Sequence, residues 1–509
     1  MDDNNAPVTG GLSFDGEKII PPDKKKLKAE CKALKLKRKK EKEIFKWEKQ
    51  LNRKKPVLAG INVYLVYLIF VISLIYAVDE IASQIKLLMQ TEIANYYFAG
   101  GNSVTIKTLS ESVVIPFTVL GLFYRPLADK WGRKKFLVIN TIGMSAGLFV
   151  MFLAENAVLY LIGTCIIMFF IPHDMHVVYI MESAPPKKRA IMYSVIKFFA
   201  NMSVMLIPLM RRLFMTEEAG TWRNVCFFPA ILGVIFGLLA LMLAREPDTF
   251  IEARLSYLRK TPEELKAEEK EKNAQGGLFA ALKFALKHKQ LRWLYIVSAF
   301  VNLGFAGSIN YQAIMTFGYA QSELKSGVFM NIDDATAFVS TGAITEAIFM
   351  FPVGLAIAQV IMGFIADFKG RKAAAVTTAA NCLGSFILFS LGSFFAWPPL
   401  LTGFFCGVAI GSFYSTNDII IMMVGESSPT NLRSSTSSAQ YIVTALGVVI
   451  SMGLNTVLTL NKEIGNLLQA PVCFLLFVPG FFIALWLLTK KVKDTTGINL
   501  DTVTGAEWD

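Results

Sequence analysis

Long apolar runs constrain this chain more than any other feature of its sequence. A helix that crosses the hydrocarbon core of a bilayer needs about 20 mainly apolar residues, at a rise of about 1.5 Å per residue. About twelve such windows, called span one to span twelve below, lie at 57–78, 110–127, 136–153, 157–180, 191–213, 223–244, 293–317, 341–365, 374–396, 399–424, 435–459 and 465–489. Barrel strands are excluded, because the runs are too long and lack apolar/polar alternation. The sequence therefore predicts an all-α polytopic membrane protein with twelve transmembrane helices.

The composition indicates a membrane protein with a basic N-terminal extension. Of the 509 residues, 54% are hydrophobic and only 18% are charged, whereas soluble domains are typically about 25% charged. Residues 1–55 hold 17 Lys and Arg against 9 Asp and Glu, which accounts for most of the formal net charge of +12. This pattern excludes an intrinsically disordered protein and a disulfide-rich secreted scaffold, and it argues against a nucleic-acid-binding protein.

The distribution of basic residues predicts the orientation of the chain. Lys and Arg are concentrated in the extension and in loops that fall on the same side when the spans are counted, and such loops stay in the cytoplasm. We therefore expect both termini in the cytoplasm of a protein of the cell (plasma) membrane. The expected segments are a basic helical extension at 1–56, a six-helix bundle at 57–244, a cytoplasmic linker at 245–292, a second six-helix bundle at 293–489 and a cytoplasmic tail at 490–509.

Two loop motifs recur in the same order in both halves of the chain. The loop after span two reads LADKWGRKK and the loop after span eight reads IADFKGRK, with matched residues 238 positions apart. The segment after span four reads ESAPPKKR and the segment after span ten reads ESSPTNLR, with an offset of 244. Two repeated motifs indicate a duplicated six-helix unit. The matched pairs are Asp129 with Asp367, Arg133 with Arg371, Glu182 with Glu426 and Arg189 with Arg433.

The first repeated motif resembles the signature loop of the major facilitator superfamily, and the run from Tyr179 to Arg189 resembles a pattern of its sugar-porter branch. The resemblance implies two pseudo-symmetric six-helix bundles around a central cavity that opens alternately to each side. It also implies that the eight matched motif residues act in gating, as charge pairs that latch the cytoplasmic side in one state. Asp79 in span one lies where the sugar porters carry a proton-coupling carboxylate.

Charged side chains inside the apolar spans are the candidates for proton coupling. A charge at the centre of a membrane helix costs about 2.5–3.5 kcal/mol on insertion scales, so each one suggests a function. Asp174 and Asp418 each lie eight residues before a motif glutamate and are repeat mates. For these two, a helix-packing or gating contact with Lys197 or Arg125 is the alternative. The expected proton-coupling residues are Asp79, Asp174, Glu346 and Asp418.

Amide, phenol and imidazole groups in the spans are the candidates for substrate binding. Amides donate and accept hydrogen bonds, which suits a hydroxylated solute such as a sugar or polyol; bridging between helices is the alternative for each. The two histidines of span four are three residues apart and share a helix face, which suits a pH-sensitive pair or a structural role better than a metal site. The expected substrate-binding residues are His173, His176, Asn302, Asn310, Tyr311, Gln312 and Asn417.

The sequence predicts a secondary active transporter that binds a small-molecule substrate and protons. It contains no GxxxxGK[ST] fingerprint for a nucleotide and no combination of nucleophile and base, so neither an enzyme nor a cofactor nor a metal site is expected. Five acidic side chains in the spans are opposed securely by Lys197 alone, which makes organic cations or drugs the alternative substrates. A membrane sensor that does not transport is a minor alternative.

The basic extension permits two interpretations. Residues 24–55 form a polar helix without Pro or Gly, and a basic amphipathic helix beside a membrane span suggests contact with anionic lipid headgroups. A solvated helix that only fixes the topology fits the sequence as well. Nucleic acid is not expected as a partner of a chain that stays in the membrane, and we expect a monomer.

Overall fold

Helices make up nearly all of the regular structure, as the apolar runs predict. The computed structural model describes residues 24–52, 57–58, 61–98, 100–114, 117, 120, 124, 132–170, 189–216, 218, 220–261, 263–264, 266, 278–429 and 433–496. Within these ranges, seven helices are long and apolar enough to cross a membrane, and a further apolar helix, Ala157–Phe170, is shorter. The strands described are a two-residue antiparallel pair, Val57–Leu58 with Ile61–Asn62.

The first half of the chain follows the predicted spans and adds helices between the first two. Segment 91–109, which lies between the windows of spans one and two, is mostly helical, and several of its residues are buried inside the protein. The helices are Val63–Leu88 (span one), Gln90–Tyr97, Ser103–Glu111 (leading into span two), Arg133–Phe152 (three), Ala157–Phe170 (four), Arg189–Ser203 and Leu206–Phe214 (five) and Asn224–Leu243 (six), with 3₁₀ turns at Ser112–Val114 and Thr221–Arg223.

The linker and the second half are also helical. Segment 320–340, which lies between the windows of spans seven and eight, holds the end of span seven and most of one further helix, Ile332–Thr341. The helices are Asp248–Arg259 and Leu278–Lys287 in the linker, then Lys289–Asn302, Phe305–Ile309 and Tyr311–Lys325 (span seven), Ile332–Thr341, Ala343–Phe368 (eight), Arg371–Phe394 (nine), Pro399–Glu426 (ten), Arg433–Thr459 (eleven) and Gly465–Lys490 (twelve).

Two spans are broken, each for a local chemical reason. In span five, Pro208 has no N–H to donate to the carbonyl of Val204, so the chain passes through i→i−3 bonds there. In span seven, the hydroxyl of Ser451 in span eleven accepts from the N–H of Ala306 at 3.0 Å and donates to the carbonyl of Leu303 at 2.6 Å. A side chain that inserts into the helical ladder in this way interrupts it.

Helix packing repeats between the halves. Span one packs against spans five and six, and span three against spans four and six; in the second half, span seven packs against eleven and twelve, and span nine against ten and twelve. The contacts between halves repeat as well, since span five packs against span eight while the helix leading into span two packs against spans eleven and twelve. This correspondence is the pseudo-symmetry that the repeated motifs predict.

Glycines let spans eight and ten approach almost backbone to backbone. A methyl group added at Gly403 or Gly407 would lie 1.8 Å from the carbonyl oxygen of Ala347 and 2.0 Å from that of Phe351, respectively. The positions recur every four residues, as in the small-residue interfaces of membrane helices. Any side chain at either position requires the two spans to separate, so the pair is fixed in register.

The extension and one linker segment form a compact unit of their own. This unit comprises residues 1–54 with 251–261, and residues 55–250 with 262–509 form the other. Within the first unit, the helix Lys24–Leu51 is joined to the linker helix by Glu43–Arg254 at 3.0 Å and Glu48–Arg259 at 2.7 Å.

Gly407→Val is expected to lower the thermal stability of the purified protein, because the added carbons collide with the backbone of span eight. Overpacking of this kind typically costs about 1–3 kcal/mol or more. Gly384→Ala in span nine is the matched control, since nothing lies within 4 Å of its Cβ position; there, loss of a helical glycine is expected to stabilise by about 0.5–1 kcal/mol. The melting temperature in detergent measures both, and equal shifts would contradict the close approach of spans eight and ten.

Candidate functional site

Span three begins after Gly132, and its counterpart in the second half, span nine, begins after Gly370. The end of the bundle at which these two spans begin is called the loop end here. Gly370 has a φ of 96° and Gly132 one of 104°, a region that costs glycine little. The carboxylate of Asp494 accepts from the N–H of Lys372 at 2.8 Å, and Thr496 accepts from the N–H of Arg371 at 2.8 Å. The start of span nine is thus capped by the segment that follows span twelve.

The first half repeats this cap with a different acid. Glu246, just after span six, accepts from the N–H of Lys134 at 3.1 Å. Burial raises the pKa of the Glu246 carboxyl, while hydrogen bonds from the backbones of Lys134 and Arg133 act in the opposite direction. Arg133 itself lies over the ring of Phe250, 5.5 Å from its centroid. The last span of each half therefore ends in an acid that holds the signature turn of that half.

The structure brings together two of the predicted gating residues. The Nε of Arg371 donates to Glu426 at 3.1 Å, and the hydroxyl of Thr495 donates to the other oxygen of Glu426 at 2.5 Å. Both predicted residues belong to the second half, so the pair joins spans nine and ten of one bundle. Their side chains are each 21% exposed.

Eight of the predicted site residues have no described side chain. Asp129, His173, Asp174, His176 and Glu182 lie outside the described residues, and only the backbone is described at Arg189, Asp367 and Arg433. Among the described side chains, no group of three His, Cys, Asp or Glu is arranged to hold a metal ion.

A central cluster of charges lies between the halves. Lys197 of span five is 3.3 Å from Asp418 of span ten, the partner considered for that aspartate in the sequence. Glu80 of span one interacts electrostatically with both and is hydrogen-bonded by Tyr76. The Asp418 side chain is 45% exposed, so solvent screens this pair and its net contribution to stability is about 0–1 kcal/mol. A pair this weak can form and break between states.

Amides border the charged cluster. The Nδ2 of Asn302 donates to Asn417, the neighbour of Asp418, at 2.8 Å, so these two predicted substrate-binding residues face each other. Asn201 of span five donates to Gln359 of span eight at 2.7 Å, a second polar contact between the halves. Asp79 is buried, with 2% of its surface exposed.

Glu346 lies far from this cluster. It is exposed in the first turn of span eight, next to the position where Gly403 of span ten meets Ala347. Asp418 is 15 residues further along span ten, which is about 22 Å at the rise of an α-helix. The structure therefore separates Glu346 from Asp418, the other proton-coupling candidate of the second half whose side chain is described.

The end of the bundle opposite the loop end, called the far end here, is closed by amides. Gln312 accepts from the N–H of Thr91 at 2.9 Å and donates to its hydroxyl at 2.8 Å and to Glu92 at 3.1 Å. The side chain of Gln90 donates to Asn310, and the hydroxyl of Tyr311 donates to Gln84 at 3.2 Å. These contacts join the two halves and bury three residues predicted to bind substrate: Asn310, Tyr311 and Gln312.

A buried ion pair lies at the centre of the far end. The Nη2 of Arg211 is 2.5 Å from Glu92, and their side chains are 0% and 10% exposed. Arg211 also donates to the carbonyl of Leu88 at 3.1 Å and to that of Ser340, in the second half, at 2.9 Å. The Ser340 hydroxyl donates to Glu92. The pair is thus completed by groups from both halves.

The structure adds two bases, each with its own acid, to the charges counted in the spans. Besides Lys197, it buries Arg211 and also Lys107, which is 3.0 Å from Glu111. Neither base was counted, since Lys107 lies just before the window of span two and Arg211 lies near the end of the window of span five. Each is paired with an acid that was not counted either, Glu111 or Glu92. Among the described residues, the excess of acids that favours a cationic substrate is therefore unchanged.

The main residues missed by sequence analysis are Glu92, Arg211, Glu246 and Asp494. The last two had a signal: a base followed by an acid ends span six and span twelve alike, at Arg245-Glu246 and Lys493-Asp494. Glu92 and Arg211 had none, since their pairing depends on how the ends of spans one and five meet.

Arg211→Met is expected to destabilise the protein by about 3–5 kcal/mol, the usual cost of leaving a buried charge unpaired. Glu92→Gln together with Arg211→Met removes both charges and is expected to recover part of the loss. Arg212→Met, an exposed neighbour, is the matched control and should leave stability within about 0.5 kcal/mol. Thermal unfolding in detergent checks all three; an additive double variant would contradict the pairing.

Comparison with known proteins identifies the family. The model of the Major Facilitator Superfamily matches residues 57–452. The inward-open xylose transporter XylE from E. coli aligns over 88% of this chain and 99% of its own at 13% identity, with a TM-score of 0.54. A D-xylose-proton symporter aligns over 86% and 100% at 15% identity and a TM-score of 0.53.

A bacterial homologue of the human lysosomal transporter Spinster, inward-facing and unoccupied, aligns over 84% of this chain and 96% of its own at 14% identity and a TM-score of 0.51. At these identities the likeness shows the fold alone. No curated protein sequence matches the chain. The predicted fold and superfamily are confirmed, because the family model spans most of the chain: this protein belongs to the major facilitator superfamily of membrane transporters.

Proposed function

We propose that this transporter couples protons to the movement of a small hydroxylated solute, with a sugar or polyol favoured. The observation that carries the proposal is the Lys197–Asp418 pair. It joins the two halves beside the Asn302–Asn417 amide pair. A proton that binds in this cluster changes the attraction between the halves at the place where polar groups are available to a solute.

The coupling follows from the number of charges. Glu80 and Asp418 share one ammonium group, that of Lys197, and Asp79 is buried next to Glu80 along span one. When Glu80, Lys197 and Asp418 are all ionised, the three carry one net negative charge, and one proton neutralises them. Protonation of Asp418 removes its attraction to Lys197, so it favours the state in which spans five and ten separate.

The substrate class follows from the neighbouring donors and acceptors. Asn302 and Asn417 supply both kinds of hydrogen-bonding group, which is what vicinal hydroxyls require. An organic cation is the alternative substrate, because Glu80 and Asp418 of the central cluster face the single ammonium group of Lys197. The fold is shared with proteins described as xylose transporters, which agrees with this class. His173 and His176 stay candidates for the same site.

Alternating access would be controlled at both ends of the bundle. We assign the far-end network around Arg211 to one closed state, and the motif charges at the loop end to the other. In this scheme the predicted gating residues latch the loop end. They are Asp129, Arg133, Glu182 and Arg189, with their repeat mates Asp367, Arg371, Glu426 and Arg433. Cytoplasmic termini, a plasma-membrane location and a monomer belong to the same proposal.

The proposal is tested by uptake into proteoliposomes, with and without an imposed pH gradient, against sugars, polyols, amines and carboxylates. A sugar or polyol is expected to accumulate, and only with the gradient. Accumulation that ignores the gradient would overturn proton coupling, and accumulation of amines alone would overturn the substrate class.

Asp418→Asn and Asp79→Asn are expected to lose gradient-driven accumulation while they keep exchange of substrate across the membrane. Because coupling between two ligands is typically worth 1–3 kcal/mol, or 5–150-fold, we expect a loss of at least about tenfold. Asp333→Asn, an exposed acid of the helix Ile332–Thr341, is the matched control. Equal loss of accumulation and exchange in either carboxylate variant points to substrate binding instead of coupling.

A further inference from the structure

We propose that one face of the helix Lys24–Leu51 is a docking surface for anionic lipid headgroups. The face is centred on Phe45 and contains Leu34, Arg38, Glu41, Lys42 and Lys49. We call it the Phe45 face. The inference goes beyond transport and concerns how the extension is held at the membrane.

The helix has a strong excess of positive charge that its own acids do not cancel. It contains thirteen Lys and Arg and four Glu. Two of the four acids are occupied elsewhere, because Glu43 is paired with Arg254 and Glu48 with Arg259. Because these two acids are neutralised by bases of the linker helix, they offset less of the positive charge of the helix Lys24–Leu51 itself.

Opposite sides of the helix have opposite environments. Trp47 is buried, and the paired Glu43 lies on the same side, each about 160° from Phe45 at 100° per residue. Phe45 and Leu34 are 69% and 56% exposed, and they lie within about 20° of each other around the helix axis. The Glu43 pair therefore lies opposite the Phe45 face. Glu48 lies about 60° from Phe45, so it borders the face with its charge matched by Arg259. The exposed Glu41 lies about 40° from Phe45, so the face carries three bases against this acid.

The exposed side combines the two features that bind a lipid surface. Arg38, Lys42 and Lys49 are exposed and fall within about 60° of Phe45. A row of bases that flanks exposed apolar side chains is the pattern of helices that lie in the membrane interface. A soluble acidic partner accounts for the bases, whereas an acyl and headgroup boundary accounts for both the bases and the two apolar side chains.

The chain keeps this helix close to a bilayer. Val63, where span one begins, is twelve positions after Leu51, so the two are no more than about 42 Å apart. The linker helix Asp248–Arg259, which contributes its residues from 251 onward to the same unit, begins five positions after the end of span six. Both chain connections are therefore short enough to keep the helix within reach of the membrane surface.

The full-length protein carries its own reporter for the test. Cys31 is exposed, and the other five cysteines are buried; Cys31 lies about 40° from Phe45 around the helix. A charged maleimide bearing an environment-sensitive dye is attached at Cys31, with Cys31→Ser as the background. The labelled protein is reconstituted in phosphatidylcholine alone, or with phosphatidylglycerol making up one third of the lipid.

In the anionic vesicles we expect a blue shift and quenching by lipids brominated in the acyl chain. Both are expected to disappear in pure phosphatidylcholine and to weaken at about 1 M salt, where the screening length is about 3 Å. A dye that stays in an aqueous environment in the anionic vesicles overturns the proposal.

Two sets of substitutions with equal charge change test the face itself. Arg38→Gln with Lys42→Gln and Lys49→Gln removes three bases of the Phe45 face, each worth about fivefold in membrane partitioning, so about a hundredfold in total. Lys32→Gln with Lys39→Gln and Lys40→Gln removes three exposed bases that lie about 120–140° from Phe45.

The first set is expected to release the dye to water and the second to retain most of the signal. Equal loss from both sets overturns the assignment of the face. Phe45→Ala is expected to reduce quenching with the charge unchanged, and full quenching in that variant also contradicts the proposal. Circular dichroism of each variant verifies that the helix is intact.

Discussion

The structure depends on one constraint: polar groups placed among apolar spans must find partners within the chain. In this protein many of the partners are supplied by the opposite half. Gln312 satisfies the backbone and side chain of Thr91, and Ser340 completes the pair between Arg211 and Glu92. Polar groups that would bind water on the surface of a soluble protein therefore bind each other here, and they hold the two duplicated bundles together. In the proposed transport cycle, these contacts between the halves are the ones that break when the far end opens.

Much of the fold could be predicted because it follows from properties that a sequence shows directly. Apolar runs of membrane-spanning length gave helices near the expected positions, and the offsets between repeated motifs anticipated the correspondence of spans one to six with spans seven to twelve. The breaks in spans five and seven were not predicted. One follows from Pro208, a local signal, but the other depends on Ser451, which is remote in sequence.

The site was less predictable because residue type does not specify which partner a side chain meets. Asn302 and Asn417, both expected to bind substrate, are hydrogen-bonded to each other. Asn310, Tyr311 and Gln312, predicted for the same role, are buried in contacts that close the far end. The buried pairs Lys107–Glu111 and Arg211–Glu92 were not predicted. Caps such as Asp494 were missed because they come from residues more than a hundred positions away.

The interlocked glycines between spans eight and ten have a mechanical consequence. Because neither helix can slide past the other, the two act as one rigid arm that runs from Gly403 to Glu426, about 35 Å. Asp418 and Glu426, the partners of Lys197 and Arg371, both lie on this arm. A rotation of about 10° about its Gly403 end displaces the opposite end by about 6 Å. In the proposed mechanism, protonation of Asp418 and opening of the Arg371–Glu426 pair are therefore coupled through one rigid body.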